Sequence, residues 1–222
     1  MTEPLADPKE LVRSGYDRIS EAYRADTFDP NGTWYATAIG ALDTSLTAGS
    51  RVLDLGCGCG VPVAAHLARA HRVTGVDLSE RRIERTRALV PGASFIRADM
   101  TSVELPRGAF DAVVSLWAII HVPIEEQPAL FDAIAGWLRP GGVLLLTVGG
   151  GAWTGTEDDW YGAPMYWSHG DRDFYAEALD AHGFDTLEEW LIPEGDGSHS
   201  AFLVRAPASD ARSVVPGTLR RS

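Results

Sequence analysis

The sequence predicts an α/β domain of the doubly wound kind, a mostly parallel sheet with helices on both faces. Three observations predict it. Residues 51–62, RVLDLGCGCGVP, read as a buried strand that runs into a glycine turn and then a helix. Downstream, apolar strand-like runs alternate with helical patterns, which implies right-handed crossovers within one sheet. Finally, Asp54, Asp77 and Asp99 stand at or near the ends of the first three strands. Open parallel sheets bind their ligands beyond those carboxyl ends.

Composition narrows the function before any motif does. The chain has 222 residues, of which 45 % are hydrophobic, enough for one sizeable core. A net charge of −12 argues against a nucleic-acid surface, which needs clustered Lys and Arg. The opening MTEPLADPKE has neither a basic region nor an apolar run, so no signal peptide is expected. No apolar stretch approaches the roughly 20 residues of a membrane span. The expectation is a soluble, cytoplasmic protein, monomer or homodimer, with a small-molecule partner and no nucleic-acid or membrane partner. Both cysteines, Cys57 and Cys59, lie in the glycine turn, which argues against a disulfide framework or a metal site.

From the N-terminus, Asp7-Pro8-Lys9-Glu10 is a helix start, and Val12, Tyr16, Ile19 and Tyr23 follow on one apolar stripe. Asp29-Pro30-Asn31-Gly32 is a turn before a second helix that opens at Trp34-Tyr35 and runs to about Leu46. The first strand carries Val52, Leu53 and Leu55, and Gly56, Gly58 and Gly60 let the backbone approach a ligand. Free N–H groups at the start of the next helix would favour an anionic group. The spacing is not that of a dinucleotide fingerprint, because Val61 stands where its third glycine would pack. Asp54 would also oppose a pyrophosphate, whereas it favours a ligand with an ammonium group.

The second strand, in RVTGVDLSE, ends at Asp77, about 20 residues past the glycines, where a ribose hydroxyl pair is held in such sheets. A polar helix, SERRIERTRALV, leads to a third strand in SFIRADM, closed by Asp99. FDAVVSLWAIIHVP is the fourth strand and its exit, IEEQPALFDAIAGWL an amphipathic helix, and VLLLTVG the fifth strand. Residues 149–170 then break the pattern. About twenty residues without periodicity predict a functional loop, rich in Trp153, Trp160, Tyr161, Tyr166, Trp167 and His169, with Gly149 to Gly151 as a hinge. One more helix stops at Gly183, and DTLEEWLIP and SHSAFLVRA are two last strands joined by a hairpin-like turn. Residues 207–222 have little hydrophobic pattern and are expected to form a disordered tail.

The segment V-L-D-L-G-C-G-x-G resembles the first motif of the class I S-adenosylmethionine-dependent methyltransferases. G-Y-D-R-I-S-E-A-Y and L-R-P-G-G-x-L-L-L resemble other parts of the same family in the expected order. The resemblance implies a seven-stranded sheet with a C-terminal antiparallel hairpin, residues 1–50 as a helical cap over the cofactor, and residues 51–206 as the cofactor-binding domain with an aromatic lid at 149–170. It places S-adenosylmethionine on Tyr16, Tyr23, Asp54, Gly56, Cys57, Gly58, Asp77, Leu78, Asp99, Met100, Leu116 and Trp117. Asp99 would accept from the adenine amino group. The expected acceptor walls are Trp34, His121, Trp153, Trp160, Tyr161, Tyr166 and Trp167. His121 is the candidate base, since imidazole titrates near neutral pH and this one leaves the fourth strand beside the donor; His169 is the second candidate. The similar proteins are bacterial enzymes of secondary or small-molecule metabolism, and oxygen, nitrogen and carbon acceptors all stay open. Two other readings stay beside this one: a methyltransferase-like scaffold acting as a cyclase or regulator, and a nicotinamide-dependent oxidoreductase, which Val61 and Asp54 disfavour.

Overall fold

The computed structural model describes residues 7–195 and 197–208. The tail from 209 onward lies outside the described residues. Pro207, the first residue assigned to that tail, is held at the sheet, its carbonyl accepting from the Gly141 amide at 2.9 Å.

Two helices, α1 (Pro8–Tyr23) and α2 (Trp34–Thr44), precede the sheet. The parallel strands are β1 (Arg51–Leu55), β2 (Arg72–Asp77), β3 (Ser94–Arg97), β4 (Phe110–Ser115) and β5 (Leu138–Gly149). Helices α3 (Val63–Leu67), α4 (Glu80–Leu89) and α5 (Gln127–Trp137) connect them, with one 3₁₀ turn at Ile119–His121. A separate hairpin, β6 (Trp153–Trp160) and β7 (Ala163–His169), comes before α6 (Arg172–Ala181) and the last strands, β8 (Asp185–Glu194) and β9 (Gly197–Arg205). The order β3-β2-β1-β4-β5-β9-β8 makes a seven-stranded sheet, parallel except for β9 and β8. That is the doubly wound sheet with a terminal antiparallel pair.

Pleating divides the apolar strand residues between two cores. Leu53, Leu55, Val113, Leu144 and Leu146 pack under Leu130, Phe131 and Ile134 of α5 and Tyr175 of α6. Val52, Ala112, Val114, Val143 and Leu145 meet Ile39 and Leu42 of α2 and Leu67 of α3 on the opposite face. Helices therefore cover both faces. The central strands read as unbroken apolar runs for that reason.

The structure corrects the reading of residues 149–170. They are no irregular loop: β6 and β7 pair antiparallel from Trp153↔His169 to Trp160↔Ala163. Tyr161 and Gly162, with φ of 53° and 96°, form the two-residue turn that such a hairpin requires. Polar-apolar alternation is hidden because aromatic residues lie on both faces. Of the glycines before it, Gly151 is open, but Gly149 and Gly150 are hemmed in. A Cβ on Gly149 would stand 2.0 Å from His169 Nδ1, and one on Gly150 2.4 Å from the Ser198 carbonyl oxygen.

The hairpin's buried partner is α1. Val12, Tyr16 and Ile19 pack with Ala163 and Met165 in a third, small core. The Gly15 backbone lies against Pro164 and Met165, where a Cβ would come within 2.9 Å of each. Arg85 of α4 ties down the other side of α1, donating to Ser20 Oγ at 2.8 Å and to the Arg24 carbonyl at 2.8 Å. Asp17 accepts from Ser79 Oγ at 2.6 Å. Thus α1 roofs the carboxyl ends of β1, β2 and β3.

Candidate active site

Under that roof the glycine turn is held by the protein itself. The amides of Gly56 and Cys57 both donate to the Val76 carbonyl, at 2.7 and 3.1 Å. Gly58 N–H donates to Asp77 Oδ2 at 2.9 Å, while Asp77 Oδ1 accepts from Ser79 N–H at 2.8 Å. The turn uses these three N–H groups to hold its own shape. Asp77 consequently joins the turn to the end of β2 and still carries lone pairs for a hydroxyl donor.

Asp54 is 3 % exposed and its Oδ2 has no hydrogen-bond partner. Burial pushes its carboxyl up to about 7, and the neighbouring Asp77 adds to the shift. Asp99 lies at the far side of the cleft, where its Oδ2 accepts from Lys9 Nζ at 2.8 Å and its Oδ1 from Thr101 N–H at 2.8 Å. Partial burial works to raise that carboxyl, but the Lys9 and Thr101 bonds prevail and hold it below the usual carboxylate range.

Three cavities meet here. The first, about 70 Å³, is bounded by Lys9, Tyr16, Asp77, Leu78, Arg82, Asp99 and Met100. The second, about 50 Å³, is bounded by Tyr23, Arg24, Asp54, Cys57, Gly58, Arg82, Leu116 and Trp117, with Gly56 common to both. Together they form one path from Asp99 past Asp77 to Asp54. The third, about 570 Å³, opens beyond Trp117 and His121. Trp117 itself has φ of 58°, a left-handed value that a bulky residue adopts only under constraint. Its N–H donates to Thr147 Oγ1 at 2.6 Å, which fixes the bend where β4 leaves the sheet.

The third cavity has ring-bearing walls: Tyr16, Tyr23, Trp117, Trp153, Trp160, Tyr161 and Trp167, with His121, His169 and His199 among them. Trp167 lies over the His121 ring with centroids 4.4 Å apart, and Trp160 over Tyr23 at 4.7 Å. Two expected wall residues are elsewhere. Trp34 sits behind the site among Tyr35, Trp117 and Trp190, because α2 turns its first residues toward the sheet. Tyr166 lies outside the cavity lining and contributes its carbonyl instead, since successive β7 residues point to opposite faces.

That carbonyl fixes the tautomer of His121. It can only accept, so His121 Nδ1–H donates to it at 2.7 Å, and Nε2 accepts from Tyr16 Oη at 2.7 Å. Burial pulls His121 down to about 4, only partly offset by the Tyr166 bond. His169 is tied differently, with Nδ1 donating to the Gly151 carbonyl at 2.7 Å and its ring beside Trp153 and His199.

These two buried groups oppose one another in pH. In an unfolded chain a carboxyl titrates near 4 and an imidazole near 6.5. Between those values the folded protein keeps an Asp54 proton that the unfolded chain has lost, so this term stabilises less as pH rises. It also lacks a His121 proton that the unfolded chain holds, so that term stabilises more as pH rises. Each amounts to roughly 3 to 4 kcal/mol over its full range. Asp54→Asn is therefore expected to make stability climb from pH 4 to 6.5 by roughly 3 kcal/mol more than in the wild type. Urea midpoints across that range test it, and a profile unchanged from wild type would contradict it.

Sequence reasoning missed Arg82, Arg24, Lys9 and His199. Arg82 and Arg85 are buried with Ile83 and Thr86 on the face of α4 under α1, although α4 reads as a polar helix. The i, i+3, i+4 spacing of 82, 85 and 86 was the available signal. His199 lines the third cavity and pairs with Glu194 at 2.7 Å, rather than serving only the strand end.

Fold and site together define a cofactor-binding α/β domain whose ligand path crosses the ends of β1, β2 and β3. Residues 52–142 match the family model described as a methyltransferase domain. Phosphoethanolamine N-methyltransferase 1 of Arabidopsis thaliana is 38 % identical over 109 residues, 46 % of this chain and 22 % of that protein. Ubiquinone biosynthesis O-methyltransferase of Leptothrix cholodnii is 30 % identical over 156 residues, 64 % of this chain and 63 % of that protein. The chain thus spans about a fifth of the plant relative's length and under two thirds of the bacterial one's. Burkholderia thailandensis 1,6-didemethyltoxoflavin-N1-methyltransferase, solved with bound 1,6-didemethyltoxoflavin and S-adenosylhomocysteine, superposes with a TM-score of 0.69 at 20 % identity, covering 93 % of each chain. Residues 52–142 thus match a methyltransferase domain, and the sheet as a whole has the fold of the class I S-adenosylmethionine-dependent methyltransferases.

Proposed function

We propose that this protein is an S-adenosylmethionine-dependent methyltransferase that alkylates a small molecule held in the aromatic cavity. The observation that carries the reading is the line of carboxylates Asp54, Asp77 and Asp99 under α1. They are spaced along one path that ends at a separate ring-lined cavity. The chemistry of the set fits the cofactor: an unpartnered buried carboxylate for an ammonium, a carboxylate at β2 for a ribose, and one at β3 for an adenine amino group. When bound there, the cofactor supplies an electrophilic methyl group.

The chain's own part is to align and to dry the site. Tyr16, Trp117 and His121 separate the two ligands. Trp160 and Trp167 supply flat apolar faces that suit a compact, partly aromatic acceptor. With a hydroxyl acceptor, its proton passes to Tyr16 Oη as the Tyr16 proton passes to His121 Nε2, and the acceptor oxygen takes the methyl group. The 2.7 Å bond between Tyr16 and His121 supports this relay. Tyr16→Phe keeps the ring and removes the hydroxyl. It is expected to lower turnover of hydroxyl acceptors by 10²- to 10⁴-fold while leaving S-adenosylhomocysteine affinity within threefold. Equal turnover in both proteins would remove the relay.

Among the described residues no helix is long and apolar enough to cross a membrane, and Cys57 and Cys59 are free thiols. Both fit work in the cytoplasm on small-molecule metabolism. Thermal melting tests the cofactor directly. At a hundredfold excess over its Kd, S-adenosylhomocysteine is expected to raise the melting temperature by roughly 5–10 °C, and NAD by none. No shift with S-adenosylhomocysteine would overturn the proposed function.

A further inference from the structure

Histidines 121, 169 and 199 all border the third cavity, and two of them have both ring nitrogens engaged. His121 spends Nδ1 on the Tyr166 carbonyl and Nε2 on Tyr16 Oη. His199 places Nδ1 3.2 Å from the Val148 carbonyl oxygen and Nε2 2.7 Å from the Glu194 carboxylate. His169 differs. Its Nδ1 meets the Gly151 carbonyl at 2.7 Å, a group that only accepts, so the proton sits on Nδ1 and the lone pair on Nε2. Among the described residues no group donates to that Nε2. Burial holds the ring below its ordinary value, although the Gly151 bond works the other way, and the lone pair stays free at neutral pH.

The surroundings of His169 ask for the same partner. Trp153 and Glu157 lie on its face of the hairpin. The Trp153 indole folds over Gly155, where an added Cβ would meet it at 3.0 Å. Glu157 also borders the cavity, and no Lys or Arg occurs between Pro140 and Asp171. Arg24 stands at the cofactor side, since it borders the second cavity too. It donates to Tyr35 Oη at 3.0 Å and lies over the Phe28 ring, 4.1 Å from its centroid. The Glu157 carboxylate and His169 Nε2 can only accept a hydrogen bond.

We infer that His169 and Glu157 form a specificity subsite of the acceptor cavity for a hydrogen-bond-donating group, a hydroxyl or an ammonium, borne by the acceptor at the end away from the transferred methyl group. The inference rests on the proposed function for the role of the cavity and adds to it a second polar group that the acceptor carries. Strand β7 sets the spacing. Tyr166, whose carbonyl orients His121, and His169 are three residues apart, about 10 Å along the strand. An acceptor with its reacting hydroxyl at Tyr16 therefore needs a ring and a short arm to reach His169. His169 then reads the acceptor instead of deprotonating the reacting atom.

Three phenols with matched arms test this by calorimetry on protein saturated with S-adenosylhomocysteine. 4-Propylphenol ends in a methyl group, 4-(2-hydroxyethyl)phenol in a hydroxyl, and tyramine in an ammonium. Wild type is expected to bind at least one of the two donor-bearing phenols at least tenfold more tightly than 4-propylphenol. His169→Phe keeps a flat ring and removes the lone pair. It should bring that preference below threefold and leave S-adenosylhomocysteine within threefold of wild type. Glu157→Gln identifies the donor: it should cut a preference for tyramine and spare one for 4-(2-hydroxyethyl)phenol. No preference over 4-propylphenol in wild type, or one that survives in His169→Phe, would overturn the inference; the wild-type comparison decides alone if His169→Phe folds poorly. A wild-type protein that does not bind S-adenosylhomocysteine would instead defeat the proposed function.

Discussion

Asp77→Ala is expected to weaken S-adenosylhomocysteine at least 100-fold. The carboxylate has two duties, and the variant removes both. It accepts from Gly58 N–H and Ser79 N–H, so its loss leaves two buried donors without partners, each costing about 1–3 kcal/mol. It is also the acceptor assigned to the ribose hydroxyls, in a site that is 7 % exposed. A binding loss of two decades corresponds to about 2.7 kcal/mol, within what one charged, buried hydrogen-bond acceptor supplies. Calorimetry on the folded variant reads the effect. An affinity within threefold of wild type would remove Asp77 from the ligand path and leave it as a brace for the turn.

Gly56→Ala is expected to destabilise the protein by about 3 kcal/mol. Gly56 has φ of +73°, which costs an L-residue about 1–2 kcal/mol. The added methyl would also stand 2.2 Å from Ala118 Cβ, too close for any contact to survive without backbone movement. Gly108→Ala is the control. Its φ is +61°, yet nothing lies within 4 Å of the added carbon, so only the backbone term applies. The difference between the two variants in urea isolates the clash. A Gly56→Ala protein no less stable than Gly108→Ala would mean that β1 and the β4 exit part easily, against the burial of both.

Much of this architecture is written in local patterns. Strands β1, β4 and β5 are legible because burial on both faces leaves them uninterrupted runs of Val and Leu. Asp54 and Asp77 are legible because their distances from the glycines are set by one strand-turn-helix unit. What escapes is what distant segments decide together. The aromatic hairpin has no visible alternation because Gly155 and Glu157 share its inner face with Trp153, Met165 and Trp167, while Tyr166 stands on the other. Arg82 reads as a solvated residue, and only the arrival of α1 over α4 buries it. Trp34 illustrates the reverse: core or wall by its sequence, it lies behind Trp117 because of how α2 is set. A tautomer such as that of His121, fixed by a carbonyl of β7, has no signature in sequence at all.

Tyr16, Trp117 and His121 border both the first and the third cavity, the proposed cofactor path and acceptor cavity. Two molecules that share a partition cannot be gripped independently: any shift of a ring toward one is a shift away from, or into, the other. Their affinities are then coupled, and thermodynamic reciprocity requires the factor to be the same in both directions. An acceptor that tightens the donor is itself tightened by it, by the same factor.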